Sequence, residues 1–276
     1  MYATGDIHGD FGAITYNIKR LEITNCILFF CGDIGVGFEK EQHYKNIFRK
    51  LNTFCKKRNI YCIFIRGNHD DPSYFNNKRI NYTNVKFVSD YTIVEVYTAE
   101  DINFENEPLY TTLCIGGAIS IDRVYRRFIQ DGNLLKYKKY HPHETEEQVY
   151  KNAPRCVWED EGAIYCPEIL DKIKSDGKNI NYICTHTTPQ IAPPITKGNN
   201  LQYWFNQDTT LAEDLDNERR TMTQIYDKLV ADEHPIIAWC YGHFHFHEHT
   251  FINTHKFILI DMCRNGIMDI VQVTPF

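Results

Sequence analysis

The sequence predicts an α/β fold organised on a mainly parallel β-sheet, and three observations carry that prediction. Apolar runs of strand length alternate with longer segments whose apolar residues recur at helical spacing. Carboxylates, histidines and an asparagine stand directly after those runs, in the loops that gather at the carboxyl ends of parallel strands. Past residue 246 the pattern changes to short apolar segments divided by turn residues, as in antiparallel hairpins.

Runs at 26–31 (CILFFC), 60–65 (IYCIFI), 110–118, 180–184 and 236–241 (IIAWCY) are short and rich in β-branched and aromatic residues, so they read as buried strands. Tyr44, Ile47, Phe48, Leu51, Phe54 and Cys55 return at helical spacing, and Leu211, Leu215, Met222, Ile225, Tyr226 and Leu229 do the same; these stripes are the core faces of two helices. The highly polar segment 128–155, with Lys136, Lys138, Lys139, His141 and His143, reads as an insertion. It is either a solvated loop with a short helix at 144–152 or a lid that selects substrate. The proline-rich TTPQIAPP at 187–194 predicts a rigid loop walling a pocket. Turn residues at 253–255 and 264–266 mark two hairpins within 247–273. No repeat or linker divides the chain, and groups from both ends must meet, so residues 1–276 are expected to form one domain with an excursion at 128–155.

Composition narrows the function classes. A chain of 276 residues with 43% hydrophobic content has the material for a large core and is not disordered. Its 30 basic and 36 acidic residues leave a net charge of −6, which disfavours bulk binding to a nucleic-acid backbone. Among the ten cysteines, Cys26, Cys31, Cys62, Cys114, Cys184 and Cys240 lie in or beside apolar runs with no CxxC pair, and read as reduced core thiols. No run is long enough to cross a bilayer, and Asp6 leaves no room for a signal peptide; a cytoplasmic protein without membrane attachment is the expectation.

Eight residues carry the chemistry: Asp6 and His8 in GDIHGD, Asp33 in CGD, Asn68 and His69 in RGNHD, His186 in THTTP, and His243 and His245 in GHFH. Oxygen and imidazole ligands in this mixture suit manganese, iron or zinc, and a carboxylate such as Asp33 can bridge two ions about 3.5–4 Å apart. Asn68 offers only a neutral amide oxygen, adequate when a bridging carboxylate and two imidazoles complete its set. His69 directly follows Asn68, which puts its imidazole beside the site as a proton donor to a departing alkoxide; the plainer alternative is that it orients Asn68 or a phosphate oxygen. In HFHFHEHT, the last two histidines, His247 and His249, begin a hairpin and read as surface residues.

These five blocks, in this order and spanning residues 5 to 245, resemble the DxH, GD, GNH, H and GHxH blocks of the calcineurin-like metallophosphoesterases. The resemblance implies a four-layer αββα sandwich of two mixed β-sheets flanked by helices. It implies two divalent metal ions per chain, manganese first and iron, zinc or nickel as alternatives. Asp6, His8, Asp33 and His245 would hold one ion, and Asp33, Asn68, His186 and His243 the other. It also implies that His69 serves the leaving group while a metal-bridging hydroxide attacks in line.

The chain departs from the Ser/Thr phosphatase branch, whose GDxxDRG block supplies an Asp and an Arg where Val36 and Gly37 stand here. Asp70 is one substitute for that Asp. The segment IGGAISIDRVYRR resembles a GGA-S-DR segment of bacterial and phage members, and offers Arg123, Arg126 and Arg127, of which Arg123 and Arg127 are the expected phosphate contacts beside Asn68. These arginines alternatively pair with the acidic run at 159–161. The expected activity is hydrolysis of a phosphomonoester, on a small molecule or a phosphopeptide. A phosphodiesterase or nucleotide hydrolase is the alternative on the same site, and a catalytically silent protein-binding scaffold is the alternative of another class, disfavoured by the complete ligand set.

Overall fold

The computed structural model describes residues 1–77, 79–97, 106–194 and 201–274. In chain order the elements are β1 (Tyr2–Thr4), α1 (Phe11–Arg20), β2 (Cys26–Phe30), α2 (Glu41–Arg58), β3 (Ile60–Phe64), α3 (Ser73–Asn76), β4 (Val85–Phe87), β5 (Thr92–Val96) and β6 (Tyr110–Ile115). There follow α4 (Arg123–Tyr140), α5 (Glu146–Asn152), α6 (Pro167–Ser175), β7 (Tyr182–Thr185), α7 (Leu201–Gln207), α8 (Leu211–Ala231), β8 (Ala238–Tyr241), β9 (Glu248–Ile252), β10 (His255–Leu259) and β11 (Ile270–Gln272).

Two mixed sheets result. The first has the order β11-β1-β2-β3-β4, parallel except for β11. The second has the order β5-β6-β7-β8-β10-β9, parallel in its centre and antiparallel at both edges. Period-two alternation makes the layers. Leu28 and Phe30 face the helices α1 and α2, while Phe29 and Cys31 face the other sheet. Likewise Trp239 and Tyr241 pack towards α6 and α8, while Ala238 and Cys240 point between the sheets. The result is the expected four-layer αββα sandwich.

Each strand end is held in place by its packing. Phe30, Phe64 and Phe87 are cross-strand partners whose rings stack at 4.1 and 4.9 Å, which locks β2, β3 and β4 in register just before the loops that carry the site. Each fully buried phenyl of this kind contributes about 1.5–3 kcal/mol. Small thiols fill the space between the sheets: Cys31, Cys114, Cys184 and Cys240 are all fully buried there, and all ten cysteines are free.

Two expectations need correction. Residues 128–140 are not loop; they continue α4, because nothing breaks the helix until Pro142, which disfavours helical backbone at His141. The short helix of 144–152 is present as α5, closed at its start by reciprocal bonds between Thr145 and Gln148. The second hairpin, at 264–266, is reduced to one bridge between Arg264 and Ile267. Beyond it Met268 buries in the layer beneath α1 and α2, so the chain crosses over and β11 pairs with β1 of the other sheet.

Candidate metal centre and active site

Every one of the eight predicted residues lies just beyond a parallel strand: Asp6 and His8 after β1, Asp33 after β2, Asn68 and His69 after β3, His186 after β7, and His243 and His245 after β8. The loops of both sheets therefore converge. Their turns demand unusual backbone: His8, Asp33, His243 and His245 all have positive φ, at 43°, 47°, 71° and 58°. Strain of about 1–3 kcal/mol per residue persists only where the surroundings hold it. Gly32 is required for the same reason, since its φ is 97° and a Cβ there would run into the His186 imidazole.

Donor atoms of Asp6, His8, Asp33 and His245 lie within 4.8 Å of one another. His245 Nε2 approaches Asp6 Oδ2 at 3.1 Å and His8 Nε2 at 3.2 Å. The second set stands beside it, with His186 Nε2 at 3.3 Å from Asp33 Oδ1 and 2.9 Å from Asn68 Oδ1, and the His243 ring 4.9 Å from that of His186. Asp33 joins the two sets.

The supporting bonds aim these atoms inward. The Cys31 carbonyl can only accept, so the 2.6 Å contact fixes a proton on His186 Nδ1 and turns Nε2 towards the centre, where it faces the Asp33 and Asn68 oxygens. Asn68 Nδ2 donates to Ser120 Oγ at 2.8 Å, which turns its Oδ1 inward. The field of the site calls for a cation. Burial alone would raise the Asp33 carboxyl, yet the imidazoles of His186, His69 and His8 hold it well below its ordinary value. Burial alone would lower His186, yet Asp33 and Asp6 push it up to about 10. A buried pocket in which two carboxylates favour positive charge, with oxygen and imidazole donors converging on it, fits divalent metal ions.

His69 is half-buried beside this cluster, its ring 5.3 Å from that of His8. Its Nδ1 accepts from Arg126 Nη1 at 3.2 Å, because a guanidinium only donates. A neutral His69 thus carries its proton on Nε2. Burial lowers its pKa, and Arg126 adds to that against the pull of Asp33. Arg126 in turn is anchored by Glu161 at 3.1 Å and by Ser120.

Asp70 does not orient His69. Its side chain points the other way and accepts from the backbone N–H groups of Ile34, Gly35, Val36 and Gly67 at 2.7–3.1 Å, clamping the loop after β2 onto the loop after β3. The three arginines of α4 also part company. Arg123 is engaged by Asp208 at 2.6 Å and by Asp214 at 2.5 Å, Arg127 is exposed, and Arg126 alone reaches His69. Glu161 belongs to the acidic run expected as an arginine partner, and it takes Arg126; sequence reasoning missed Ser120 and Arg219. Ser120 was within the quoted GGA-S-DR segment; Arg219 sits in an ordinary charged helix and had no local signal.

Two cavities open beside the cluster and share His8 and His69. One, of about 730 Å³, runs past His69, Arg219, Phe244 and Trp204, with Pro194 of the proline-rich segment in its wall. The other, of about 400 Å³, is lined by Phe11, Phe38, Glu39 and His43.

Residues 1–247 match the family model described as calcineurin-like phosphoesterase. No curated protein matches the chain in sequence. Solved structures with similar architecture include a phosphopantetheinyl hydrolase from Mycobacterium tuberculosis (12% identity, TM-score 0.44, 99% of this chain and 96% of that one). A dimetal phosphatase from Danio rerio is similar at 10% identity and TM-score 0.42, over 95% of this chain and 87% of that one. The GAP50 anchor of the inner membrane complex of Plasmodium is similar at 13% identity and TM-score 0.43, over 94% and 70%.

Proposed function

This chain belongs to the calcineurin-like phosphoesterase family, a metal-dependent class of phosphoric ester hydrolases, and from that premise we propose that it hydrolyses a phosphomonoester borne by a small molecule or a peptide. The observation that carries the reading is the position of His69, which adjoins the ligand cluster, lines both cavities and carries its proton on the nitrogen not held by Arg126. Asp6, His8, Asp33 and His245 would hold one divalent ion, and Asp33, Asn68, His186 and His243 the other, with manganese the first candidate. When bound, the ions supply Lewis acidity towards a phosphoryl group and water. His69 directs its Nε2–H at the departing alkoxide and stabilises the charge developing there, and Arg126 keeps the imidazole in the donating tautomer. Six fully buried free cysteines support a reducing, cytoplasmic setting. Among the described residues no helix is long and apolar enough to cross a membrane.

Metal-stripped protein should recover activity when manganese is restored, tested against nickel, zinc and iron on phosphomonoesters, cyclic nucleotides and dinucleoside polyphosphates. Turnover of monoesters above the rest is the expected result. One observation favours a second reading: cavities on two sides of His8 and His69 leave room for a substituent on each side of phosphorus, as a phosphodiester has. Preferential cleavage of cyclic or bridged substrates would move the assignment there.

A further inference from the structure

The larger cavity takes in the metal centre at one end, where His8, Asp33, Asn68, His69, His243 and His245 line it, and differs in character beyond it. Leu201, Trp204 and Phe205 of α7 follow the i, i+3, i+4 spacing of one helical face and line it, and α7 buries none of its residues elsewhere. Across the cavity stands Phe244, between the two predicted ligands of the last block, with the Arg219 guanidinium stacked 4.7 Å from its ring centroid.

The polar groups of the wall already have partners within the chain. Asp122 pairs with Arg126 at 3.2 Å, and Asp216 with Arg220. Glu218 accepts from Thr187 at 2.9 Å and from the Ile119 N–H, and Arg219 donates to the Thr188 carbonyl at 2.8 Å. Away from the metal centre, the wall offers a ligand mainly aromatic and aliphatic surface, half-exposed at Trp204, Phe205, Leu215 and Phe244. A volume of about 730 Å³ falls within the roughly 300–1,000 Å³ of small-molecule sites, well beyond what a phosphate needs.

We propose that this cavity is the substrate's organic-group subsite and selects phosphate esters bearing a planar aromatic ring, held against Trp204 and Phe205 opposite Phe244. The inference rests on the reading of the adjoining centre as a phosphoester hydrolase. Aromatic faces favour a ring over an aliphatic group of similar size through offset or edge contacts, in addition to area buried. Phe244 is stiffened by Arg219 and by its place between His243 and His245, so the ring recognition is coupled to the geometry of the centre.

Two measurements on the manganese-loaded full chain test this. The first is the ratio of kcat/KM for 2-naphthyl phosphate to that for ethyl phosphate, compared between wild type and variants so that intrinsic leaving-group reactivity cancels. Trp204→Ala should lower that ratio about tenfold, mainly through KM, and Trp204→Phe should keep it within about threefold of wild type. An unchanged ratio in Trp204→Ala, or an equal loss in Trp204→Phe, overturns the proposal. The second is calorimetric affinity of the wild type for 2-naphthylmethylphosphonate against ethylphosphonate, which needs neither turnover nor a variant. About tenfold tighter binding of the aryl compound supports the subsite, and equal affinities overturn it. If no ester is hydrolysed but the phosphonates still differ, the hydrolase reading fails and the ring subsite stands.

Discussion

Asp33 is where the two ligand sets meet, and its carboxylate does two jobs: Oδ1 accepts from the His69 N–H at 2.8 Å while facing His186 Nε2 at 3.3 Å. An amide of the same shape keeps the acceptor but loses the charge that both sets need. Asp33→Asn should therefore lose most of both metal ions and nearly all activity; two ions per chain by elemental analysis, with normal turnover, would remove the bridging assignment. His69 lies one residue from a ligand without being one. His69→Asn should keep the metals and lower kcat about 10²–10⁴-fold on an alkyl phosphate, with a smaller loss on an aryl phosphate whose leaving group needs little protonation. Equal losses on the two esters would exclude proton donation.

At the scale of elements, the site depends on loops from two strands being tied together before any ligand can be aimed. Asp70 does the tying, with four backbone N–H groups converging on one buried carboxylate. Burial and the nearby Asp33 raise its pKa to about 6, while the N–H groups of Gly67, Val36 and Ile34 work against the shift. Asp70→Ala leaves several buried donors unmatched, and the cost should be on the order of 3 kcal/mol. The midpoint of urea unfolding reads it; a midpoint unchanged from wild type would show that the loops hold without the clamp. Helix α4 does a comparable service for His69, since it brings Arg126 under the imidazole while turning Arg123 to Asp208 and Asp214.

For the molecule as a whole, pH and charge set the remaining expectations. His234 is 6% exposed, its Nδ1 accepts from the Ile180 N–H, and burial lowers its pKa from an ordinary 6.5. Above that value it is neutral folded or unfolded and costs nothing. Below it the unfolded chain takes up the proton first, so stability falls with pH until the folded pKa is passed. His234→Gln should flatten the drop in melting temperature between pH 7 and pH 5; an identical drop in the variant would clear His234 of the effect. A net charge of −6 opposes a polyanion, so a small ester should be cleaved in preference to single-stranded DNA or RNA at moderate salt. Efficient cleavage of the polymer in direct competition would reverse that preference.

Local pattern was sufficient for β2, β3, β7 and β8, which precede most of the ligands, and for the faces of α2 and α8 apart from Leu215, which lines the larger cavity, because period-two and period-3.6 burial are written into adjacent residues. The eight residues that converge were also named from local sequence, through the five short blocks that hold them. Short elements were not legible: β1 and β11 have three residues each, and β1 is held between β2 on one side and, from the far end of the chain, β11 on the other. Nor was the sharing of work among Arg123, Arg126 and Arg127, which are alike in sequence, while the fold brings Asp208 and Asp214 to the first, Glu161 to the second and leaves the third exposed. The direction of Asp70, away from its neighbour His69, and the aromatic cavity between α7 and Phe244 belong to the same class. A residue's type sets what chemistry it can offer; where that chemistry is aimed depends on contacts tens or hundreds of residues away, which only the folded packing supplies.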